Sequence, residues 1–128
     1  MGLELYMVGV IVADMGRAVE FYRRLGVDIA EGSKSKAHVE IKMGQMSFFL
    51  TTHSFNKRWD PNNTPAQGGY RIILEFYLKT RAAVDEKYNE MLAYGYLSHV
   101  APYVTPFNMY FAMIHDPDGN TILLSGEV

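Results

Sequence analysis

The sequence predicts an α+β fold in which two tandem βαβββ modules form one cupped mixed sheet, with the helices on its outer face. Two observations support this prediction. A strand-like segment, a capped helix and a long stretch of further strand-like sequence occur in that order twice along the 128 residues. One such module would leave a face of its sheet bare, so both modules are expected to share one sheet and one domain, residues 1–128.

The first module covers residues 1–54 and opens with a strand over residues 5–12, where every second residue from Val8 onward is a valine. Asp14 follows as an N-cap, and the helix that it begins is expected to end at Gly26. Sequence without a helical period comes next, with strands expected at 37–43 and 46–52 and a further short strand at 28–32 left open.

The second module covers residues 69–128 and repeats the pattern. A strand is expected over residues 71–79, Thr80 stands where Asp14 stood, and the helix that it caps ends at Gly95. Three more strands are expected, at 97–104, 108–115 and 121–125. The connecting segment, residues 55–68, belongs to a polar stretch that is long enough to indicate a function or a crossover.

Composition excludes several classes of protein. The chain has 12 basic and 14 acidic residues, without the basic patch of a nucleic-acid binder. No apolar run approaches the roughly 20 residues of a membrane-spanning helix. The opening segment shows neither a basic region nor a cleavage site of a signal peptide. There is no cysteine, which excludes disulfides and thiolate metal sites, and we expect a cytoplasmic location.

Two motifs lie near the ends of the chain. Residues 8–26 read VGVIVADMGRAVEFYRRLG, and residues 115–125 read HDPDGNTILLS. Together they resemble the vicinal oxygen chelate superfamily, which contains glyoxalases, bleomycin-resistance proteins and dioxygenases. The matching residues are Asp14, Phe21, Tyr22, Leu25 and Gly26 in the first motif and Asp116, Pro117, Asp118, Gly119 and Asn120 in the second. The resemblance covers nearly the whole chain.

The resemblance implies a divalent metal in the cup, held by His, Gln or Glu on inward-facing strand positions. The corresponding positions in this sequence are Met7, Phe49 (or Phe48 if the register slips by one), Ile73 and Leu123. A thioether and hydrocarbons do not hold a hard divalent ion. We therefore expect no metal and no cofactor, with a metal relocated to His38 and Glu40, on one face of a strand, as the open alternative.

Strand alternation carries further side chains into the predicted cup. Glu75 is the notable one, because a carboxylate among hydrocarbons is costly unless it is hydrogen-bonded. It is expected either to orient a ligand or to bond a neighbouring side chain. Trp59 and Tyr103 add aromatic faces for a flat ligand, while Phe107 and Tyr110 are expected in the core. The predicted ligand-binding residues are Met7, Gly9, Phe49, Trp59, Arg71, Ile73, Glu75, Tyr77, Tyr103 and Leu123.

These observations favour a metal-free protein that binds a drug-like, aromatic or apolar small molecule, in the manner of the drug-sequestering members of the superfamily. Two alternatives stay open. One is a lyase, isomerase or dioxygenase with a relocated metal or a mechanism based on Glu75. The other is a structural or regulatory dimer without a ligand. The expected partners are the small molecule and a second copy of the chain, with no nucleic acid and no membrane.

Overall fold

The computed structural model describes residues 2, 5–64 and 72–128, and the chain divides into two units, residues 1–67 and 68–128. Each unit contains a mixed sheet flanked by helix, so the α+β class and the repeated order of elements are confirmed. Hydrogen bonding joins the strands in two sheets, of three and four strands, where the sequence predicted one. No helix of the described residues is long and apolar enough to span a membrane.

The described part of the first unit contains three strands, two α-helices and a single 3-10 turn at Ser33–Ser35. The strands and α-helices are β1 (Met7–Val12), α1 (Met15–Leu25), β2 (His38–Met43), β3 (Met46–Thr52) and the short α2 (His53–Asn56). The strand order is β1-β3-β2, with β1 parallel and β2 antiparallel to the central β3. The central strand thus has a neighbour on each side, and the two outer strands have one each in this sheet.

Helix α1 begins and ends where its capping residues predict. The Asp14 side chain accepts a hydrogen bond from the Arg17 backbone N–H at 2.9 Å. Gly26 ends the helix with φ 121°, a left-handed conformation that side chains rarely adopt. The buried stripe between these caps packs on one face of the sheet, with the Tyr22 and Phe48 rings 5.8 Å apart.

Residues 28–32 form no strand, so the first unit, within its described residues 2 and 5–64, is βαββ without the fourth strand of a complete βαβββ module. The guanidinium of Arg23 donates to the backbone carbonyls of Ile29 and Ala30, at 3.0 and 2.6 Å. The Ser33 hydroxyl also donates to Ala30 O at 2.7 Å. Because side chains already satisfy these carbonyls, the segment has less need of a strand partner.

The second unit is a complete βαβββ module. Its elements are β4 (Ile73–Thr80), α3 (Arg81–Ala93), β5 (Ser98–Val104), β6 (Met109–His115) and β7 (Thr121–Glu127), in the sheet order β4-β7-β6-β5. Thr80 caps α3 by accepting from the Ala83 backbone N–H at 3.1 Å. Tyr110 is buried as expected, but Phe107 is 67% exposed, so its predicted place in the core is wrong.

Candidate functional site

The face of the first sheet opposite α1 carries polar and aromatic side chains in three cross-strand rows. Strand pairing aligns Met7 with Ser47 and Lys42, then Gly9 with Phe49 and Glu40, then Ile11 with Thr51 and His38. The alternate positions of these strands, which face the other side of the sheet, hold buried residues: Val10, Val12, Val39, Ile41, Phe48 and Leu50. Strand alternation therefore separates an apolar face that packs on the helix from a mixed face that is open to chemistry.

The Phe49 ring lies over the backbone of Gly9. A Cβ added at Gly9 would come within 2.8 Å of three atoms of that ring. In the first unit Gly9, two residues after Met7, pairs with Phe49. In the second unit Glu75, two residues after Ile73, pairs with Leu123. Phe49 is thus the counterpart of Leu123, and its ring covers the backbone of Gly9.

Trp59 belongs to a line of aromatic contacts on the same unit. The His38 imidazole lies between Phe49 and Phe55, at centroid distances of 5.0 and 5.2 Å. Trp59 meets the Phe49 ring at 6.3 Å in an edge-to-face arrangement and is 55% exposed. Its indole therefore has one edge on the sheet and a large surface available to a flat ligand.

The segment that carries Trp59 is held by its own polar side chains. Asn56, at the end of α2, is buried and accepts a hydrogen bond from the Asn63 side chain. Asn63 also pairs with His53 at 3.4 Å. The Thr52 hydroxyl caps α2 by accepting from the Phe55 backbone N–H. Residues 53–63 of this polar stretch are consequently held in a defined conformation by their own side chains.

His38 and Glu40 form a hydrogen-bonded pair, with Nε2 and Oε2 3.3 Å apart. The other ring nitrogen, Nδ1, is buried and has no partner among the described residues, and the same holds for the Thr51 hydroxyl on the paired strand. The Thr52 backbone N–H bonds Ala37 O, which places His38 and Thr51 in the closer, non-hydrogen-bonded type of pair. The imidazole is thus fixed by ring stacking and by Glu40.

Glu75 lies on the exposed face of β4, and its carboxylate accepts a hydrogen bond from the Ser125 hydroxyl at 2.7 Å. The prediction that this carboxylate is buried among hydrocarbons is wrong. Strand β4 is the first in its sheet order, so Glu75 has a strand neighbour on one side within the described sheet. Of the bonding partners considered from sequence, the side chain of a neighbouring strand is the one observed.

Tyr77, two residues along the same face, donates its hydroxyl hydrogen to the Glu127 carboxylate at 2.8 Å. This hydrogen bond, followed by slight burial and the charge of Glu127, raises the pKa of Tyr77 above its ordinary value of 10.0. Glu75 and Glu127 thereby give this face two acidic groups, each bonded across β4 and β7. The face favours a ligand that carries positive charge or hydrogen-bond donors.

Exposed apolar side chains lie beside Glu75 on β4, where Ile73 is 42% and Tyr77 53% exposed. Tyr103 is also exposed, in the same cross-strand row as Tyr77 but on β5, at the opposite edge of the sheet. Leu123, on the central strand β7, is only 6% exposed and offers little contact area. Arg71 lies outside the described residues.

His99 and His115 form a ring pair in the second unit, with centroids 4.8 Å apart and an edge-to-face arrangement. The buried Nδ1 of His115 and the hydroxyl of Thr121, its cross-strand neighbour, have no hydrogen-bond partner within the described part of the chain. Neither histidine occupies a position that corresponds to a metal ligand of the superfamily. The pair lies at the end of the sheet where the closing motif begins.

The closing motif owes its shape to Asp116. One carboxylate oxygen accepts the backbone N–H groups of Asp118 and Asn120, at 2.9 and 2.7 Å, and the other accepts the Asn120 side-chain amide at 2.8 Å. Gly119 adopts φ 84° inside this turn. The motif therefore aligns β6 with β7, which is a structural role.

The side chains at the implied metal-ligand positions do not fit a divalent ion. Met7 offers a thioether, while Phe49, Ile73 and Leu123 offer hydrocarbon, and hard ions require oxygen or nitrogen donors. Across residues 2, 5–64 and 72–128, no group of three or more His, Asp or Glu side chains converges to hold a metal. The residues present do not reproduce the metal site that the resemblance implies.

Sequence reasoning missed several participants on these faces. Ser125 was not recognised as the partner of Glu75, because the two residues are fifty positions apart. Lys42 is absent from the predicted ligand-binding residues, although the alternation of His38, Glu40 and Lys42 along β2 places all three on one face. That alternation was the available signal.

Comparison with known proteins agrees with this fold. The sequence profile of the Glyoxalase/Bleomycin resistance protein/Dioxygenase superfamily matches residues 5–124. No curated protein matches the chain. A glyoxalase/bleomycin resistance protein/dioxygenase family enzyme from Burkholderia phytofirmans PsJN is 22% identical, with a TM-score of 0.85 over 98% of this chain and 100% of that one.

Two further solved structures are similar over most of their length. A glyoxalase/bleomycin resistance protein from Albidiferax ferrireducens T118 is 25% identical, with a TM-score of 0.71 over 97% of this chain and 98% of that one. Lactoylglutathione lyase from Agrobacterium tumefaciens is 23% identical, with a TM-score of 0.70 over 96% and 92%. The profile match spans both end motifs, and the chain belongs to the Glyoxalase/Bleomycin resistance protein/Dioxygenase superfamily.

Proposed function

We propose that this protein binds a planar, largely apolar small molecule without a metal ion, and that Glu75 selects ligands with a cationic or hydrogen-bond-donating group. The observation that carries the proposal is the position of Glu75 between the exposed side chains of Ile73 and Tyr77, with its carboxylate anchored by Ser125. A fixed acidic group on an apolar surface is typical of a small-molecule site.

Apolar contact supplies most of the affinity in this proposal. Each Å² of apolar area removed from water contributes about 25 cal/mol, and the Tyr77 and Tyr103 rings add specific aromatic geometry. Glu75 is exposed in the free protein and loses water only when a ligand covers it. A ligand without a donor therefore leaves the carboxylate desolvated with the Ser125 hydroxyl as its only described partner, which costs roughly 1–3 kcal/mol.

Planar aromatic antibiotics and metabolites with an amine group are the compounds that fit this chemistry. The metal-free part of the proposal depends on the side chains at the ligand positions, Met7, Phe49, Ile73 and Leu123, none of which carries an oxygen or nitrogen donor. A cytoplasmic location agrees with a chain without cysteine, and cell fractionation would test it.

Titration with a cationic acridine dye and with uncharged pyrene tests the proposal. Glu75→Gln should weaken acridine binding by about tenfold and leave pyrene binding within about twofold, since only the charged ligand uses the carboxylate. Glu86→Gln, an equal change of charge at an exposed position on α3, is the matched control. A bound ligand at a hundred times its dissociation constant stabilises the native state by about 2.7 kcal/mol, so thermal shift extends the screen to antibiotics and metabolites.

If Glu75→Gln and Glu86→Gln weakened acridine binding equally, Glu75 would not be part of the binding site. If no aromatic compound raised the melting temperature, the binding proposal would fail, and a structural or regulatory role without ligand would take its place. The enzyme alternative predicts product formation that is lost with Glu75→Gln or with substitution of His38.

A further inference from the structure

We propose that the first unit contains a second binding site, for a small zwitterion that carries both an ammonium and a carboxylate group, such as a free amino acid. The site is a cavity of about 460 Å³ on the mixed face of the sheet. This volume lies within the roughly 300–1,000 Å³ of small-molecule pockets. The cavity is lined by Tyr6, Met7, Glu40, Lys42, Gln45 and Ser47.

Two opposite charges border this cavity without neutralising each other. Glu40 and Lys42 are two residues apart on β2 and therefore project from the same face of the sheet. Glu40 is hydrogen-bonded to His38, its neighbour on the same face toward the start of β2, whereas Lys42 lies toward the end of the strand. Lys42 takes part in no ion pair among the described residues. A cation and an anion at neighbouring positions complement the two charged groups of a zwitterion.

Uncharged polar groups and one apolar wall complete the site. Ser47 is the cross-strand neighbour of both Lys42 and Met7, so these three residues form one row across the sheet with Ser47 in the middle. Gly44, with φ 59°, forms the tight turn that brings Gln45 back beside this row. The ligand carboxylate is thus assigned to Lys42 with Ser47 or Gln45, the ligand ammonium to Glu40, and an apolar side chain to Met7.

This inference does not rest on the proposed function. The groups that carry it, Glu40 and Lys42, lie in the first unit, whereas the planar ligand is assigned to Glu75 and its neighbours in the second. The ligand classes also differ, because the cavity has polar and charged walls and the β4 face is apolar around an acidic group. If binding at one of the two sites is not observed, the proposal for the other site is unaffected.

The test is a titration of the whole protein with each of the free proteinogenic amino acids at millimolar concentration, monitored by nuclear magnetic resonance and calorimetry. The strongest binder is then compared with its carboxamide, which lacks the carboxylate, and with its desamino acid, which lacks the ammonium. Both analogues should bind about tenfold more weakly than the amino acid, the loss expected for one charge-assisted hydrogen bond. Lys42→Met should weaken binding of the amino acid and of the desamino acid but not of the carboxamide. Glu40→Gln should weaken binding of the amino acid and of the carboxamide but not of the desamino acid.

Matched controls are Lys36→Met and Glu31→Gln, which change the same charges at exposed positions of the first unit outside the cavity. They should leave binding unchanged, as should Glu75→Gln. If no amino acid perturbs the resonances of Met7 or Ser47, or if the control substitutions weaken binding as much as those at Lys42 and Glu40, the proposal is wrong. Unchanged melting temperatures of the free variants would show that the losses are not caused by unfolding.

Discussion

The ring of Phe49 on β3 lies against the Cα of Gly9 on β1, so the largest side chain of this cross-strand row covers the residue that has none. Parallel pairing of the two strands places them opposite each other, and His38 and Trp59 contact the ring from other sides. Glycine at position 9 is therefore required by close approach, since its backbone conformation is an ordinary strand conformation.

Gly9→Ala should destabilise the protein by about 1–2 kcal/mol, because the new Cβ forces the Phe49 ring out of its contacts. Urea denaturation monitored by circular dichroism measures this loss. In a Phe49→Ala background the same substitution should be neutral or slightly stabilising, since alanine is favoured over glycine in a strand. A cost that is equal in both backgrounds would contradict the contact.

Protein purified from a metal-rich medium should carry no stoichiometric nickel, zinc, iron or manganese. The reason is the absence of oxygen and nitrogen donors at Met7, Phe49, Ile73 and Leu123. Elemental analysis provides the measurement, with His38→Ala and Glu40→Ala as comparison variants. One metal per chain that disappears in either variant would instead support an enzyme with a relocated site.

Asp116→Ala should destabilise the second unit by about 2–4 kcal/mol, because two backbone N–H groups and one side-chain amide lose their acceptor. Asp116→Asn keeps an oxygen for the two backbone groups and should cost about 1 kcal/mol. Thermal or chemical unfolding compares the two variants. Equal losses would show that the charge, and not the hydrogen-bond geometry, makes the turn stable.

The hydrogen bond between Tyr110 and Asp85 should make the stability of the protein depend on pH in alkaline solution. The tyrosine hydroxyl donates to Asp85 at 2.6 Å, and this hydrogen bond, with burial and the charge of Asp85, raises the pKa of Tyr110 above 10.0, although Arg81 opposes the shift. Because the folded-state pKa is raised, the stabilisation is fully present below pH 10.0 and is lost as the pH rises through the folded-state value.

Tyr110→Phe should therefore lower the free energy of unfolding by about 1–2 kcal/mol at neutral pH, and its difference from the wild type should shrink in strongly alkaline solution. Chemical denaturation across that range measures the difference. Tyr103→Phe, at an exposed hydroxyl with no hydrogen bond described, is the matched control. A difference that does not change with pH would contradict the role of the Asp85 bond.

We also propose that the chain dimerises. Each sheet ends on strands with a single neighbour in its own sheet, and open strand edges are usually covered in native proteins. Leu97 and Phe107 add exposed apolar surface to the second unit. Sedimentation at micromolar concentration should find a species of twice the chain mass, and a single species of 14.5 kDa would overturn the proposal.

The sequence by itself determined the elements whose signals are local. Helix α1 follows from Asp14, an apolar stripe and Gly26, and α3 follows from Thr80 in the same way, because caps and helical periodicity act within a few residues. The strands were predicted within about two residues of their observed bounds, and their alternation correctly separated the helix-packed face from the mixed face.

Only the tertiary structure decided which side chains meet across strands. The partner of Glu75 is Ser125, the ring over Gly9 is Phe49, and Arg23 satisfies the carbonyls that would otherwise have belonged to a strand at residues 28–32. Parallel pairing joins strands that are far apart along the chain, and its register follows from the packing of the whole sheet. Local sequence contains no signal for such contacts, so the exposure of Glu75 and Phe107 became apparent only in the folded chain.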